Sequence, residues 1–433
     1  MAELKSRRLL LGLTLTSLHG LDLADIGILS TVSKSVRSAM RSLTELHSIE
    51  TISDNRLWNA LSFFSSLKLF SFNATGFDWS MIIRIFDHTH ISLITLNFLS
   101  LLEPPPDILY PPVLVTPLGQ LVHGCMNSRW AHIRSIDLQN CQCSGEALQY
   151  LIRSCRNILK FHLHGSLLVR DANLNLMLVG MPLLECIDFS QLFGVERFIM
   201  SRTLHRSLRS LKITRSPFFR VILLDPSCEY SSSLLVSCDF SSTAVTNESI
   251  SRIVSCSPRL ENLILRECVS IVGSLSILSR SLTHMDLQHS SRISSLGIYC
   301  PSLTHLHVLG CLNLQSMTIN SFELRSLDLS MLTKLSKLEV NCHCISDINF
   351  SGCRKLIEAK VSIRSPFSRS FKKKYYRCHN IEEQDGKNDP DFLHFSCNHI
   401  KCTVEPVPLP VGSIQPNFVN IRRHQFVQRS SSI

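Results

Sequence analysis

The sequence predicts an α/β solenoid, and three observations carry that expectation. A six-residue pattern, apolar-x-x-apolar-x-apolar, recurs from IRSIDL at 133–138 to ISDINF at 345–350. Its ten starts lie 25, 26, 24, 27, 25, 22, 21, 21 and 21 residues apart. Cysteines keep a fixed phase to it: Cys141, Cys268, Cys311 and Cys353 each stand three residues after the last apolar position of a run. One short alternating run in every period of about 20–29 residues is the signature of a leucine-rich repeat. Each run is a strand whose alternate side chains enter a core shared with its neighbours, so no coil is stable alone. The expected architecture is a leucine-rich-repeat horseshoe with a small N-terminal helical region and a loose C-terminal tail.

Residues 1–60 are expected to form the helical region. Lys5, Arg7 and Arg8 precede the apolar LLLGLTLTSL as in a secretory signal, but Asp22 and Asp25 follow where a small-x-small cleavage site is needed. LDLADIGILSTVSKSVRSAM (21–40) reads as amphipathic helix. At the least it caps the apolar face of the first coil, as open repeat stacks require. Residues 61–128 hold divergent first repeats, LKLFSF (67–72) and ISLITL (91–96), then a segment with six prolines at 101–117. Those prolines exclude helix and central strand, leaving an extended loop.

Residues 129–363 are the clear repeats. Coils of 24–27 residues have room for a helix on the back; TNESISRIVSCSPRL (246–260) carries Ile250, Ile253 and Val254 at helical spacing, with Thr246 or Asn247 as N-cap. From residue 282 the period falls to 21, and second runs follow the first: ISSLGI (293–298), LQSMTI (314–319), LSKLEV (335–340) and LIEAKV (356–361). Coils this short are expected to carry a second strand instead of a helix. The phased cysteines, with Cys155, Cys256 and Cys300 just before a run, read as small buried residues. Packing also explains CQC (141–143) and NCHC (341–344), whose spacing is poor for metal ligands. No residue is assigned as a metal ligand, and no cofactor is expected.

Residues 364–433 form a basic tail, with 11 Lys/Arg against 6 Asp/Glu. Cys378, His379, His394, Cys397, His399 and Cys402 have irregular spacing, and a flexible tail is the expectation there. FKKKYYR (371–377) and IRRHQFVQR (421–429) read as linkers or targeting signals; nucleic-acid binding through them is a third-ranked reading. With 18% charged and 44% hydrophobic residues, the chain is not disordered throughout. No run reaches membrane-spanning length. GxGxxG, P-loop, GxSxG and HExxH motifs are missing, so no catalytic residue is assigned and a non-enzymatic role is expected. The odd cysteine count suggests a reducing setting, in the cytoplasm and/or nucleus.

The pattern C-P-x-L-x-x-L-x-L-x-x-C at 300–311 resembles the cysteine-containing leucine-rich repeats of F-box proteins. Residues 21–40 resemble the end of an F-box, which has Asp-Leu and then Ser-x-Val-x-Lys-x-Trp-Arg. Asp22, Leu23, Ser30, Val32, Lys34 and Arg37 match; Val36 stands at the Trp position, and the leading Leu-Pro-x-Glu is absent. The resemblance implies that Asp22, Leu23, Leu29, Val32, Lys34, Val36 and Arg37 dock a Skp-type adaptor, with a cullin beyond it. It implies a substrate-recognition subunit of an SCF-type (cullin–RING) ubiquitin ligase. The alternative is a leucine-rich interaction scaffold without a ligase role.

In either case the partner, a protein of unknown identity, is expected on the concave face. The middle outward column there is Asp137, His162, Asp188, Lys212, Asp239, Ile264, Asp286, His307 and Asp328. Beside it lie Ser135, Lys160, Ser210, Asn262, His284, His305 and Ser326, and on the other side Gln139, His164, Thr214, Arg266 and Gln288. Five Asp in the middle column suit a basic partner segment; equally, they serve solubility. The histidines are expected to be exposed.

Overall fold

In the computed structural model, residues 68–87, 91–97, 99–102, 130–179, 181–224, 233–345, 347–356 and 358–363 are described, together with the short strands Ser17–Leu18, Glu45–Thr51, Lys372–Lys374, Ser396–Cys397 and Ile400–Lys401. Fifteen strands hydrogen-bond side by side in chain order into one sheet. Every neighbouring pair along it is parallel, from Ser17–Leu18 with Glu45–Thr51 to Asp347–Asn349 with Lys372–Lys374. Each of the ten predicted runs holds one of these strands, and burial alternates along them as the pattern requires: Ile136, Leu138, Phe161, Leu163, Ile187 and Phe189 are buried, and the residues between them face outward. The chain is a leucine-rich-repeat solenoid.

The expected second layer is present. Early coils return through helices: Gly145–Arg153, Asp171–Val179, Arg202–Ser207 and Asn247–Cys256. Ser144, Ser201 and Thr246 cap three of them, each side-chain oxygen accepting the N–H three residues on. Late coils return through strands: Gly273–Leu278, Ile293–Tyr299, Ser316–Ser321, Lys337–Cys342 and Glu358–Ile363 make a five-stranded parallel sheet. The first of these had no counterpart in the sequence reading. Leu93–Asn97 pairs directly with Ser135–Gln139 although the proline-rich stretch separates them in the chain. Trp130 seals this junction: its ring lies 4.9 Å from that of Phe86 and its Nε1–H donates to Asp87 Oδ1 at 2.8 Å.

Four expectations need correction. The sheet does not begin at residue 61: Ser17–Leu18 and Glu45–Thr51, inside the expected helical region, are ladder strands. Nor does it stop at 363, because Lys372–Lys374 pairs with Asp347–Asn349. In addition, Ser396–Cys397 pairs with Ile400–Lys401 inside the expected loose tail. A parallel stack leaves a row of unpaired N–H and C=O groups at each edge, and adjoining chain satisfies them. Finally, Cys256 ends its helix half-buried; Ser257 fills the buried place instead. The F-box-like residues 22–37, the apolar run at 9–15, the prolines at 104–117 and most of the tail's Cys/His group lie outside the described residues.

One backbone device recurs in all ten coils from Ser135–Gln139 to Asp347–Asn349. Asn140, Gly165, Gln191, Arg215, Ser242, Glu267, His289, Gly310, Met331 and Gly352 all have φ between 51 and 82°. Each lies five residues after the start of a concave strand. The N–H groups of Asn140, Gln191, Arg215, Ser242, Glu267, His289 and Met331 donate to a carbonyl of the next coil at 2.7–3.0 Å. The next residue is small and buried in most coils. Cys141, Cys268, Ser290, Cys311 and Cys353 donate from their side chains to a carbonyl of the preceding coil at 2.6–3.5 Å.

Gly310→Ala places a Cβ at φ 79°, 2.4 Å from His289 Nδ1. It is expected to cost about 1–2 kcal/mol, read as a lower thermal midpoint; an unchanged midpoint would show that the turn is not conformationally demanding. A second outcome concerns the thiols. Burial pushes Cys268, Cys311 and Cys342 up to about 12 and Cys300 up to about 11, whereas Cys344 is exposed. Near neutral pH a maleimide should modify Cys344 well before these four; rapid modification of Cys311 in the native chain would contradict the packing described.

Candidate functional site

The concave sheet face is the candidate site, and register decides what meets there. Asp137 pairs with His162, His162 with Asp188, Asp188 with Lys212, and Lys212 with Asp239. The line continues through Ile264, Asp286, His307 and Asp328. The middle column read from the sequence is therefore one unbroken row of adjacent residues. It is also longer than expected, since Thr95 adjoins Asp137 and Asn349 adjoins Asp328. Cys186 and Ser190, which flank Asp188 on its strand, belong to the outer columns too. They were missed because neither type stands out in a template, though their phase was available.

The five aspartates do different work. In the late coils the strand ends at the aspartate and the chain turns. Asp239 Oδ1 accepts the N–H and the hydroxyl of Ser241 at 3.0 and 2.6 Å. Asp286 Oδ1 accepts the Gln288 N–H at 3.0 Å, and Asp328 Oδ1 accepts the Ser330 N–H at 2.9 Å. These carboxylates hold turns in the manner of an Asx motif. Asp286 is also paired: Arg266 Nε donates to its Oδ2 at 2.6 Å, with the Asp side chain 7% and the Arg side chain 53% exposed.

In the early coils the strands run two residues past the aspartate, so no turn donor is available. Asp188 Oδ2 accepts Lys212 Nζ at 2.9 Å, and its Oδ1 is buried without a hydrogen-bond partner. Asp137 Oδ2 accepts Gln139 Nε2 at 2.9 Å; its Oδ1 is likewise buried and unpartnered, 3.9 Å from His164 Nε2. Lys212 and Arg266 thus neutralise part of the acidic column from within, which weakens the case for a strongly basic partner segment.

The histidines are not all exposed. His284, His305 and His307 are, but His162 and His164 are half-buried. Burial holds His162 below the ordinary imidazole value, while the charges of Asp137 and Asp188 pull upward. The rings of His284 and His305 stack at 4.3 Å and 10°. Thr283 and Thr304 hydroxyls sit 2.8 Å from their Nδ1 atoms, fixing both rings.

No family model matches the chain, and no curated protein matches it. Among solved structures it is similar to the complex of Rad7 and Elc1 in yeast, at 14% identity over 56% of this chain and 74% of that one, with a TM-score of 0.29. It is similar to the Leptospira interrogans LRR protein LIC12759, at 13% identity over 77% and 87%, with a TM-score of 0.28. The functional domain of InlJ from Listeria monocytogenes, described as including a cysteine ladder, gives 14% identity over 77% and 71%, with a TM-score of 0.26. At these scores the fold rests on the ladder itself.

His284 is held below the usual imidazole value, first by burial and then by the neighbouring His305 and His307. By nuclear magnetic resonance it should titrate below about 6.5, and His305→Ala should move it back up. Because its pKa is lowered, His284 stays neutral at neutral pH and takes up charge only on acidification. A His284 midpoint that ignores His305→Ala would sink this account.

Proposed function

We propose that this chain is a protein-binding receptor that holds a partner along the concave face. The continuous registered column from Thr95 to Asn349 carries this reading: an outward-facing row of mostly polar side chains, one per coil. Solenoids use such extended concave surfaces for recognition. In the finer reading the chain is the substrate-recognition subunit of an SCF-type ubiquitin ligase. It does no chemistry itself. Binding raises the effective concentration of substrate lysines at the charged enzyme that the complex carries. The resemblance of residues 21–40 to an F-box supports this, with a Skp-type adaptor and a cullin as partners and the cytoplasm or nucleus as the setting.

A scaffold without a ligase role is the second reading, and one observation favours it. The strands Ser17–Leu18 and Glu45–Thr51 are ladder neighbours whose starts lie 28 residues apart. That interval is close to one repeat, as a stack of coils without a separate adaptor-docking domain would have.

Co-expression of the full chain with a Skp-type adaptor separates the two. The ligase reading expects stoichiometric co-purification with wild type and its loss in the Leu29→Asp, Val32→Asp double variant. A well-folded wild type that brings down no adaptor removes the ligase role and leaves the scaffold.

A further inference from the structure

We propose that Asp137, His162 and His164 form a binding site for a borderline divalent metal ion, with zinc as the best chemical match. His162 and His164 are two apart on one strand, so both project from the concave face. Asp137 lies in register beside His162 on the preceding strand. One donor atom from each of the three falls within 4.8 Å of the others. Two imidazole nitrogens and one carboxylate oxygen are a zinc donor set. Hard ions such as magnesium prefer all-oxygen shells.

Two of the donors are held from behind. Gln139 Nε2 donates to Asp137 Oδ2, which leaves Oδ1 buried and without a hydrogen-bond partner. Ser190 Oγ hydrogen-bonds His164 Nδ1, which leaves Nε2 facing that same Oδ1 at 3.9 Å. Locking the far atom of each ligand is what outer-shell groups do at metal centres. The charges facing His162 come from three strands. Asp137 and Asp188 are negative; Lys160 and His164 oppose them, and Lys212 is already engaged by Asp188. A dication bound here meets two carboxylates and binds to neutral imidazoles. Cys186 Sγ lies 4.0 Å from His162 Nε2 but is not part of the convergent group. Three protein donors leave a fourth tetrahedral position for water on the solvent side.

The competing account is a simple His164–Asp137 ion pair that forms when the imidazole is protonated. Zinc titration of chelator-stripped full-length protein by calorimetry, with thermal unfolding in parallel, tells the two apart. The expected result is saturable zinc binding that raises the unfolding midpoint and is not displaced by excess magnesium. Asp137→Asn and His164→Asn should each weaken it at least about tenfold, and Ser190→Ala, which keeps every donor, by about tenfold. His289→Asn, at an exposed turn, should leave it unchanged. Should one variant not fold, the remaining two decide. Absence of binding to wild type overturns the site. So does binding that survives the substitutions, as zinc held by the Cys/His residues of 378–402 would.

Discussion

Everything in this molecule depends on one turn. After each of the ten concave strands from Ser135–Gln139 to Asp347–Asn349 the chain places one residue in the left-handed region, and in eight of them its N–H donates to the next coil. The residue after it is buried, and in five coils it is a Cys or Ser whose side chain donates to the coil before. A left-handed residue with a side chain costs about 1–2 kcal/mol, yet seven of these ten positions are not glycine. The conformation persists because a coil that relaxed it would break a ladder hydrogen bond and misplace a buried donor, each also worth about 1 kcal/mol or more. The turn therefore fixes register, and register fixes which side chains stand side by side. A slip of one residue would send the buried alternation outward.

Much of this was legible beforehand. Leucine spacing gave the ten strands, and Cys141, Cys268, Cys311 and Cys353 marked the buried donor position. The same position filled by Ser290, Ser216 or Thr243 was not legible, because an isolated hydroxyl residue looks like surface until its carbonyl partner is known. The return strand Gly273–Leu278 escaped because the long-period and short-period coils meet there. The N-terminal ladder strands escaped because two or seven residues carry too little pattern to outweigh an apolar, helix-like context.

The site shows the same division. Its middle column followed directly from strand phase. What each carboxylate does there did not follow, because that depends on where the strand ends. Asp239 and Asp328 face a turn and are occupied by its donors. Asp137 and Asp188 lie on strands that continue, and each keeps one buried oxygen without a hydrogen-bond partner. Identical letters in identical template positions thus divide into structural and available groups. The difference is set by strand length alone: five residues in the early coils, three in the late ones.

The change of return segment from helix to strand has a mechanical consequence. Concave strands stack about 4.8 Å apart, whereas packed helices need about 8–10 Å. Coils backed by helices must splay outward, which bows the sheet inward over residues 135–256. Coils backed by strands have equal spacing on both sides and stack without splaying. Spacing alone thus favours tighter curvature where helices back the coils than where strands do. A rigid binding partner shaped to hug one arc will not follow the other, so recognition along the whole length calls for a partner that is itself jointed.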